Sequence, residues 1–150
     1  KDRGHLATVF LRPNTIERYG MPVAFAVEIY HKALENGAYK CFLAEHTKLP
    51  MMYMDDAIEG TLRLMDTAAS RLSVRTSYNI GSMSFSPSEM ADSIRSHIPG
   101  FTIDYQPDYR QEIADSWPVS LDDSKARADW GWEPRFGLDE ITREMLSHLS

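Results

Sequence analysis

Short apolar runs of strand-forming residues alternate along this chain with segments whose apolar positions recur at helical spacing, and proline, glycine or a capping residue marks each change of period. That alternation constrains the fold most, because strand–helix repeats pack as α/β layers with at least part of a parallel sheet. The run over 7–11, Ala-Thr-Val-Phe-Leu, has no polar alternation and predicts a strand covered on both faces, ended by Arg12-Pro13-Asn14. From Pro22 onward Val23, Ala26, Val27, Tyr30 and Leu34 follow helical spacing, and Gly37 stands where that helix would stop. Residues 40–43 and 49–54 read as extended. Asp55 or Asp56 then caps a helix whose Ile58, Leu62 and Met65 share one face. Residues 76–80 predict another strand, and Ser86-Pro87-Ser88-Glu89 has capping-box spacing ahead of Met90, Ile94 and Ile98. Gly100 closes that helix, 101–105 reads as a strand, and short helices are expected over 124–130 and 138–149.

A chain of 150 residues, 43% of them apolar and three of them tryptophan, can bury a normal core, so one unit over 1–150 is expected. Net charge is −6 with lysine and arginine scattered, which argues against nucleic acid as a partner. The single cysteine, Cys41, excludes an internal disulfide framework and suits a reducing compartment; the cytoplasm is the expected location. No apolar run approaches the ~20 residues a spanning helix needs, so no membrane partner is expected. The chain opens on Lys1 with a strand-like run almost at once, and it is read as a fragment entered partway through a domain.

No motif in the chain carries chemistry alone. The eight glycines are dispersed, with no G-x-G-x-x-G turn to cradle a pyrophosphate. The histidines at 5, 31, 46, 97 and 148 lack zinc-ligand spacing, so no metal site is expected. Asp55-Asp56 and Asp122-Asp123 each precede a predicted helix, where negative charge favours the macrodipole. Ser84, Ser86 and Ser88 have no G-x-S-x-G setting, and Met51, Met52, Trp130 and Trp132 read first as core.

Four landmarks in order nonetheless resemble the extended short-chain dehydrogenases. Residues 122–134, containing Ser124-Lys125-Ala126 and Trp130-Gly131-Trp132-Glu133-Pro134, resemble the family's C-terminal signature. Leu11-Arg12-Pro13-Asn14 is similar to the end of its sixth sheet strand, Met54-Asp55-Asp56-Ala57 to a strand-to-helix turn, and Tyr78-Asn79-Ile80-Gly81 to a later strand. The resemblance implies the C-terminal part of such an enzyme: the last strands of a Rossmann-type parallel sheet and a small α/β substrate domain. The glycine-rich turn and the catalytic Tyr-x-x-x-Lys pair are absent from these residues, so no catalytic residue is expected here and the chain alone is expected to be inactive.

Within the family, sugar-nucleotide epimerases and dehydratases place an arginine on the substrate diphosphate where this chain has Leu49. They place a second in an R-x-G-D segment that corresponds to Glu112-Ile113-Ala114-Asp115, although Arg110 lies close enough to substitute in part. An uncompensated buried diphosphate costs several kcal/mol, which disfavours a nucleotide sugar. Residues 49–53 (Leu-Pro-Met-Met-Tyr), 75–79, 83–87 and 113–118 instead resemble short-chain L-threonine 3-dehydrogenases. That resemblance implies oxidation of the L-threonine hydroxyl to 2-amino-3-oxobutanoate with hydride transfer to NAD. It also implies that Pro13, Asn14 and Ile16 lie at the nicotinamide end of the cofactor, and that Trp117 walls the substrate pocket. Met52 and Tyr53 lie near the pocket floor, although strand alternation lets only one of them point there. A family loop carrying Thr-Thr-Asp has become Pro22-Val23-Ala24, an apolar edge that would not satisfy an ammonium or hydroxyl group. Homodimers are usual in the family. Two other readings stand beside this one: a different extended short-chain enzyme such as a sugar-nucleotide epimerase/dehydratase, and a non-catalytic binding module or remnant.

Overall fold

The structure, a computed structural model, describes residues 5–7, 10–11 and 22–150. In chain order the described elements are β1 (His5–Ala7), β2 (Phe10–Leu11), a 3-10 turn (Pro22–Ala24), α1 (Phe25–Asn36), β3 (Ala38–Cys41), β4 (Leu49–Tyr53) and α2 (Met54–Asp66). There follow β5 (Ser77–Asn79), β6 (Met83–Phe85), α3 (Pro87–His97), β7 (Thr102–Tyr105), α4 (Tyr109–Asp115), α5 (Ser124–Trp130) and α6 (Leu138–Leu149).

The α/β class expected from the alternation is what forms. β1 pairs with β5, β2 with β4 and β3 with β7, all parallel, while β6 adds to β4 antiparallel. Parallel neighbours need long crossovers, and the helices between these strands supply them. The apolar residues gather in two clusters. The larger is built around Phe25, Ile29 and Tyr30 of α1 with Ile94 of α3 and Ile141 of α6; the smaller joins Met52, Ile80, Trp130 and Trp132.

Local chemistry sets most helix ends. α1 stops at Gly37, whose left-handed φ of 64° a glycine adopts without strain while its N–H bonds Ala33 O at 3.1 Å. The capping box of α3 forms as expected: Ser86 Oγ accepts from Glu89 N, and Glu89 Oε2 accepts from Ser86 N at 2.8 Å. Across the larger core, Tyr30 Oη lies 3.0 Å from Thr142 Oγ1, which is 2.8 Å from Ser93 Oγ. This buried chain of hydroxyls ties α1, α3 and α6 into one register, because each group would otherwise lose its hydrogen bonding.

Three expectations are corrected. Leu34, placed on the buried stripe of α1, is 38% exposed, because Ile29 and Ala33 take the inward positions against β3, α3 and α6. The face of α2 expected to be buried, Ile58, Leu62 and Met65, points outward; Asp56, Ala57 and Gly60 face the core instead. A Cβ on Gly60 would lie 2.8 Å from Trp132 Cζ3 and 2.9 Å from Ile80 Cδ1, so only a glycine lets the helix approach this closely. Neither Asp55 nor Asp56 caps α2; Tyr53 occupies that position without a side-chain bond, and both acids sit in the first turn. β6 and α4 were not anticipated. At three residues β6 is too short to show a period, and the signal for α4 is Asp108, whose side chain accepts from Arg110 N at 2.9 Å.

Candidate functional site

β4 organises the site. Its central residues are buried on both faces, and its alternation sends Met52 and Tyr53 to opposite sides. Met52 belongs to the smaller core and lines a cleft of about 150 Å³ between β4, the segment after β5 and residues 120–127. Met51, Met52, Ser82, Ser84, Asp123 and Arg127 are among the residues that line it. Tyr53 packs instead on Phe136, ring centroids 4.6 Å apart, at the margin of the larger core.

Trp117 also lies at that margin, half-buried, with its N–H on Ala114 O at 3.0 Å at the end of α4. α4 packs on the 3-10 turn Pro22–Ala24, so the substituted edge noted in the sequence and the segment leading to Trp117 are neighbours. The structure thus separates the expected substrate-side residues: Met52 faces the cleft, whereas Tyr53 and Trp117 border the larger core. Pro13, Asn14 and Ile16, expected at the cofactor, lie outside the described residues.

The polar residues of the cleft are held by the protein itself. Ser82 Oγ donates to Phe136 O at 3.3 Å, Ser84 Oγ donates to Val119 O, and Arg127 Nε binds Asp123 Oδ1 at 2.8 Å. Hydrogen bonding to Asp123 holds the Arg127 guanidinium above its ordinary range. The sequence places the Asp122-Asp123 pair at the start of a helix, and so it is: Asp123 takes the N-cap position of α5, while Asp122 accepts from Ser124 N at 3.0 Å. Only the spacing of Asp123 and Arg127, four apart on a short helix, could have signalled the ion pair.

The positions relevant to a diphosphate are apolar or engaged. Leu49 is fully buried. Arg110, the possible substitute cation, grips Asp108 through Nε at 3.0 Å and Nη2 at 2.6 Å while its guanidinium lies 3.2 Å from the Phe42 ring centroid. That contact raises the arginine and lowers the aspartate from their ordinary values, since each charge stabilises the other. Ala114 faces the core at the end of α4, and Gln111 spends its amide on Ala44 N, Thr47 and Asp115.

The shifted phenols all move upward. Burial raises Tyr30, Tyr39, Tyr53, Tyr78 and Tyr105, so none of these five is a base poised near neutral pH. Tyr78 donates to Asp129, which also accepts from Ser73 N at 2.8 Å, and the three groups pin the segment before β5 to α5. Among the described residues no cluster of His, Cys, Asp and Glu could hold a metal ion, and no helix is long and apolar enough to cross a membrane.

Cys41 is buried, and burial pushes its thiol up to about 11 from an ordinary 9.0. A thiol-reactive disulfide reagent at neutral pH is therefore expected to label the unfolded chain promptly and the folded chain far more slowly. The folded state holds this proton more tightly, so the stability it contributes is complete below pH 9 and is lost as pH rises toward 11. Equal labelling rates with and without denaturant would exclude a buried thiol.

No family model matches the chain. Its relatives are informative. The chain is 48% identical over 124 residues to "L-threonine 3-dehydrogenase, mitochondrial" of Bos taurus, an alignment that covers 82% of the chain and 33% of the relative. It is 44% identical over 126 residues to an uncharacterized epimerase/dehydratase of Staphylococcus haemolyticus, covering 83% of the chain and 40% of that protein. The crystal structure of L-threonine dehydrogenase from Phytophthora infestans superposes with a TM-score of 0.90 at 42% identity, over 96% of the chain and 47% of its own length. The chain therefore spans between a third and a half of the relatives it matches, and it belongs to the extended short-chain dehydrogenase family, in the group that contains the L-threonine 3-dehydrogenases and epimerase/dehydratases.

Proposed function

We propose that the chain is the substrate-side portion of an NAD-dependent L-threonine 3-dehydrogenase. The observation that carries this reading is the 48% identity with the bovine enzyme over 82% of the chain. The apolar Leu49 and the engaged Arg110 support it, because they leave no free arginine at the two positions where a diphosphate would need one.

In this reading the chain binds and orients the amino acid and excludes water, while the tyrosine base and its lysine come from the remainder of the enzyme. NAD bound to the intact enzyme would supply the hydride acceptor for oxidation of the threonine hydroxyl. Pro13, Asn14 and Ile16 are the chain's contribution at the nicotinamide end. Trp117 closes the substrate side beside the turn Pro22–Ala24, with Tyr53 on the same margin of the larger core, while Met52 faces the separate cleft. A reducing compartment such as the cytoplasm suits the single buried thiol.

The test is NADH formation from L-threonine by this chain joined to the nucleotide-binding portion of the Phytophthora infestans enzyme, with the 150-residue chain beside it. Turnover is expected from the joined protein. The chain alone is expected to be slower by at least about a thousandfold, because it lacks the Tyr-Lys pair. In the joined protein Trp117→Ala is expected to raise KM for threonine more than it lowers kcat. A folded joined protein that binds NAD yet ignores threonine would sink the substrate assignment. The apolar Pro22–Ala24 edge favours a second reading, another small hydroxy compound, and such a compound would then be sought among less polar alcohols.

A further inference from the structure

The helix that leads to Trp117 does not hold itself in place. At seven residues α4 is shorter than the roughly 12–15 a helix needs to persist in water, and it buries a single side chain, Ala114. Tyr109 and Ile113 stand exposed on its surface. Its position therefore depends on polar contacts. Arg110, gripping Asp108 and lying on the Phe42 ring, fixes its first turn. What fixes the rest is Gln111.

Gln111 Oε1 accepts from Ala44 N at 2.8 Å, and Thr47 Oγ1 lies 3.2 Å from Oε1 and 3.0 Å from Nε2. Nε2 also donates to Asp115 Oδ1 at 2.6 Å, one helical turn on. The amide is thus engaged at both ends, partly with a turn more than sixty residues away in sequence. That turn is itself anchored. Thr47 N donates to Ala44 O at 3.2 Å, Ser88 N donates to Glu45 O at 3.2 Å, and Lys48 Nζ pairs with Glu89 Oε1 at 2.8 Å, which ties 44–48 to the first turn of α3.

At its other end α4 carries Trp117 rigidly. Ser116 N donates to Ile113 O at 3.1 Å, Ser116 Oγ to the same carbonyl at 2.7 Å, and Trp117 N to Ala114 O at 3.0 Å. The helix also packs on the turn Pro22–Ala24. A displacement of α4 therefore shifts Trp117 against that edge.

We propose that Gln111 is a positioning residue for the substrate side: its amide latches α4 to the turn 44–47 and so sets where Trp117 stands beside Pro22–Ala24. The proposal rests on the reading of Trp117 as the wall of the substrate pocket. With its amide spent on Ala44, Thr47 and Asp115, Gln111 acts through α4 and not on the substrate.

The experiment uses the chain joined to the nucleotide-binding portion of the Phytophthora infestans enzyme and compares Gln111→Ala, Thr47→Val, the two together, and Glu112→Gln as an exposed control on the same helix. Alanine forms helix better than glutamine, so Gln111→Ala removes the latch without weakening α4 itself. Gln111→Ala is expected to raise KM for threonine about fivefold, the size of one lost hydrogen bond, with kcat within about twofold of native. Amide exchange over 109–117 is expected to quicken about tenfold while α1 and α3 exchange as before. Thr47→Val should shift both readouts the same way but less, the double variant should fall short of the two effects combined, and Glu112→Gln should change neither. Unchanged exchange over 109–117 overturns the proposal, as does faster exchange with an unchanged KM, or exchange that quickens equally in α1 and α3. If the joined protein binds NAD and leaves threonine unoxidised, the substrate reading fails by itself, and the exchange comparison still decides whether Gln111 holds Trp117 in place.

Discussion

Replacing Trp132 by alanine is expected to lower the unfolding free energy by about 3–5 kcal/mol, the range for truncating a buried aromatic residue. The indole is fully buried, its Nε1 donates to Gly81 O at 2.8 Å, and its ring centroid lies 5.8 Å from that of Trp130. It also meets the backbone of α2 at Gly60, where the absence of a side chain brings helix and ring together. The loss therefore combines burial, one hydrogen bond and a cavity between two elements that cannot close without moving α2. Trp132→Phe should cost less, since much of the volume stays although the N–H and part of the ring system are lost. Gly60→Ala should cost about 1–3 kcal/mol through overpacking in the native chain and less in the Trp132→Phe background, where the ring is smaller. Urea denaturation with unchanged m-values checks all three. Additive effects of Gly60→Ala and Trp132→Phe would show that the two sites do not share the contact described.

The second large effect is expected at Asp56. This carboxylate is 1% exposed and accepts from Arg135 N through both oxygens and from Phe136 N, each at 3.0 Å. Alanine there would leave two backbone donors without partners, at roughly 3 kcal/mol in total when each stays buried. Asn keeps one acceptor oxygen and should recover part of the loss. The consequence reaches the candidate site, because Phe136 stacks on Tyr53. Loosening 135–136 should therefore raise KM in the joined protein as well as lower the thermal midpoint. If Asp56→Ala melts with the native midpoint, the carboxylate does not hold that loop.

These two residues show how far local pattern reading goes. Gly37 and Gly131 end α1 and α5 as expected, and Ser86 with Glu89 starts α3, because each depends on groups only a few residues apart. Strand 49–53 was legible from its apolar run, and alternation anticipated that Met52 and Tyr53 would part. The buried side of α2 was misread because hydrophobic periodicity counts large apolar side chains. This helix docks through a glycine, an alanine and a carboxylate, and presents its large apolar residues outward. In the same way Asp56 looked like a helix cap, and only its partners at 135–136 showed otherwise; Asp123 does take the N-cap position of α5, but its side chain pairs with Arg127 instead of capping.

What the sequence determined by itself was the α/β class, most element positions, the helix ends at Gly37, Ser86 and Gly131, and the family resemblance, all of which rest on spacing and short motifs. Tertiary structure decided which face of α2 is buried, that Arg110 is held by Asp108 and Phe42, and that Met52 faces a different side from Tyr53 and Trp117. The physical reason is range: a cap or a period is settled by neighbours along the chain. The burial of a carboxylate or the engagement of an arginine depends on donors and rings brought from tens of residues away.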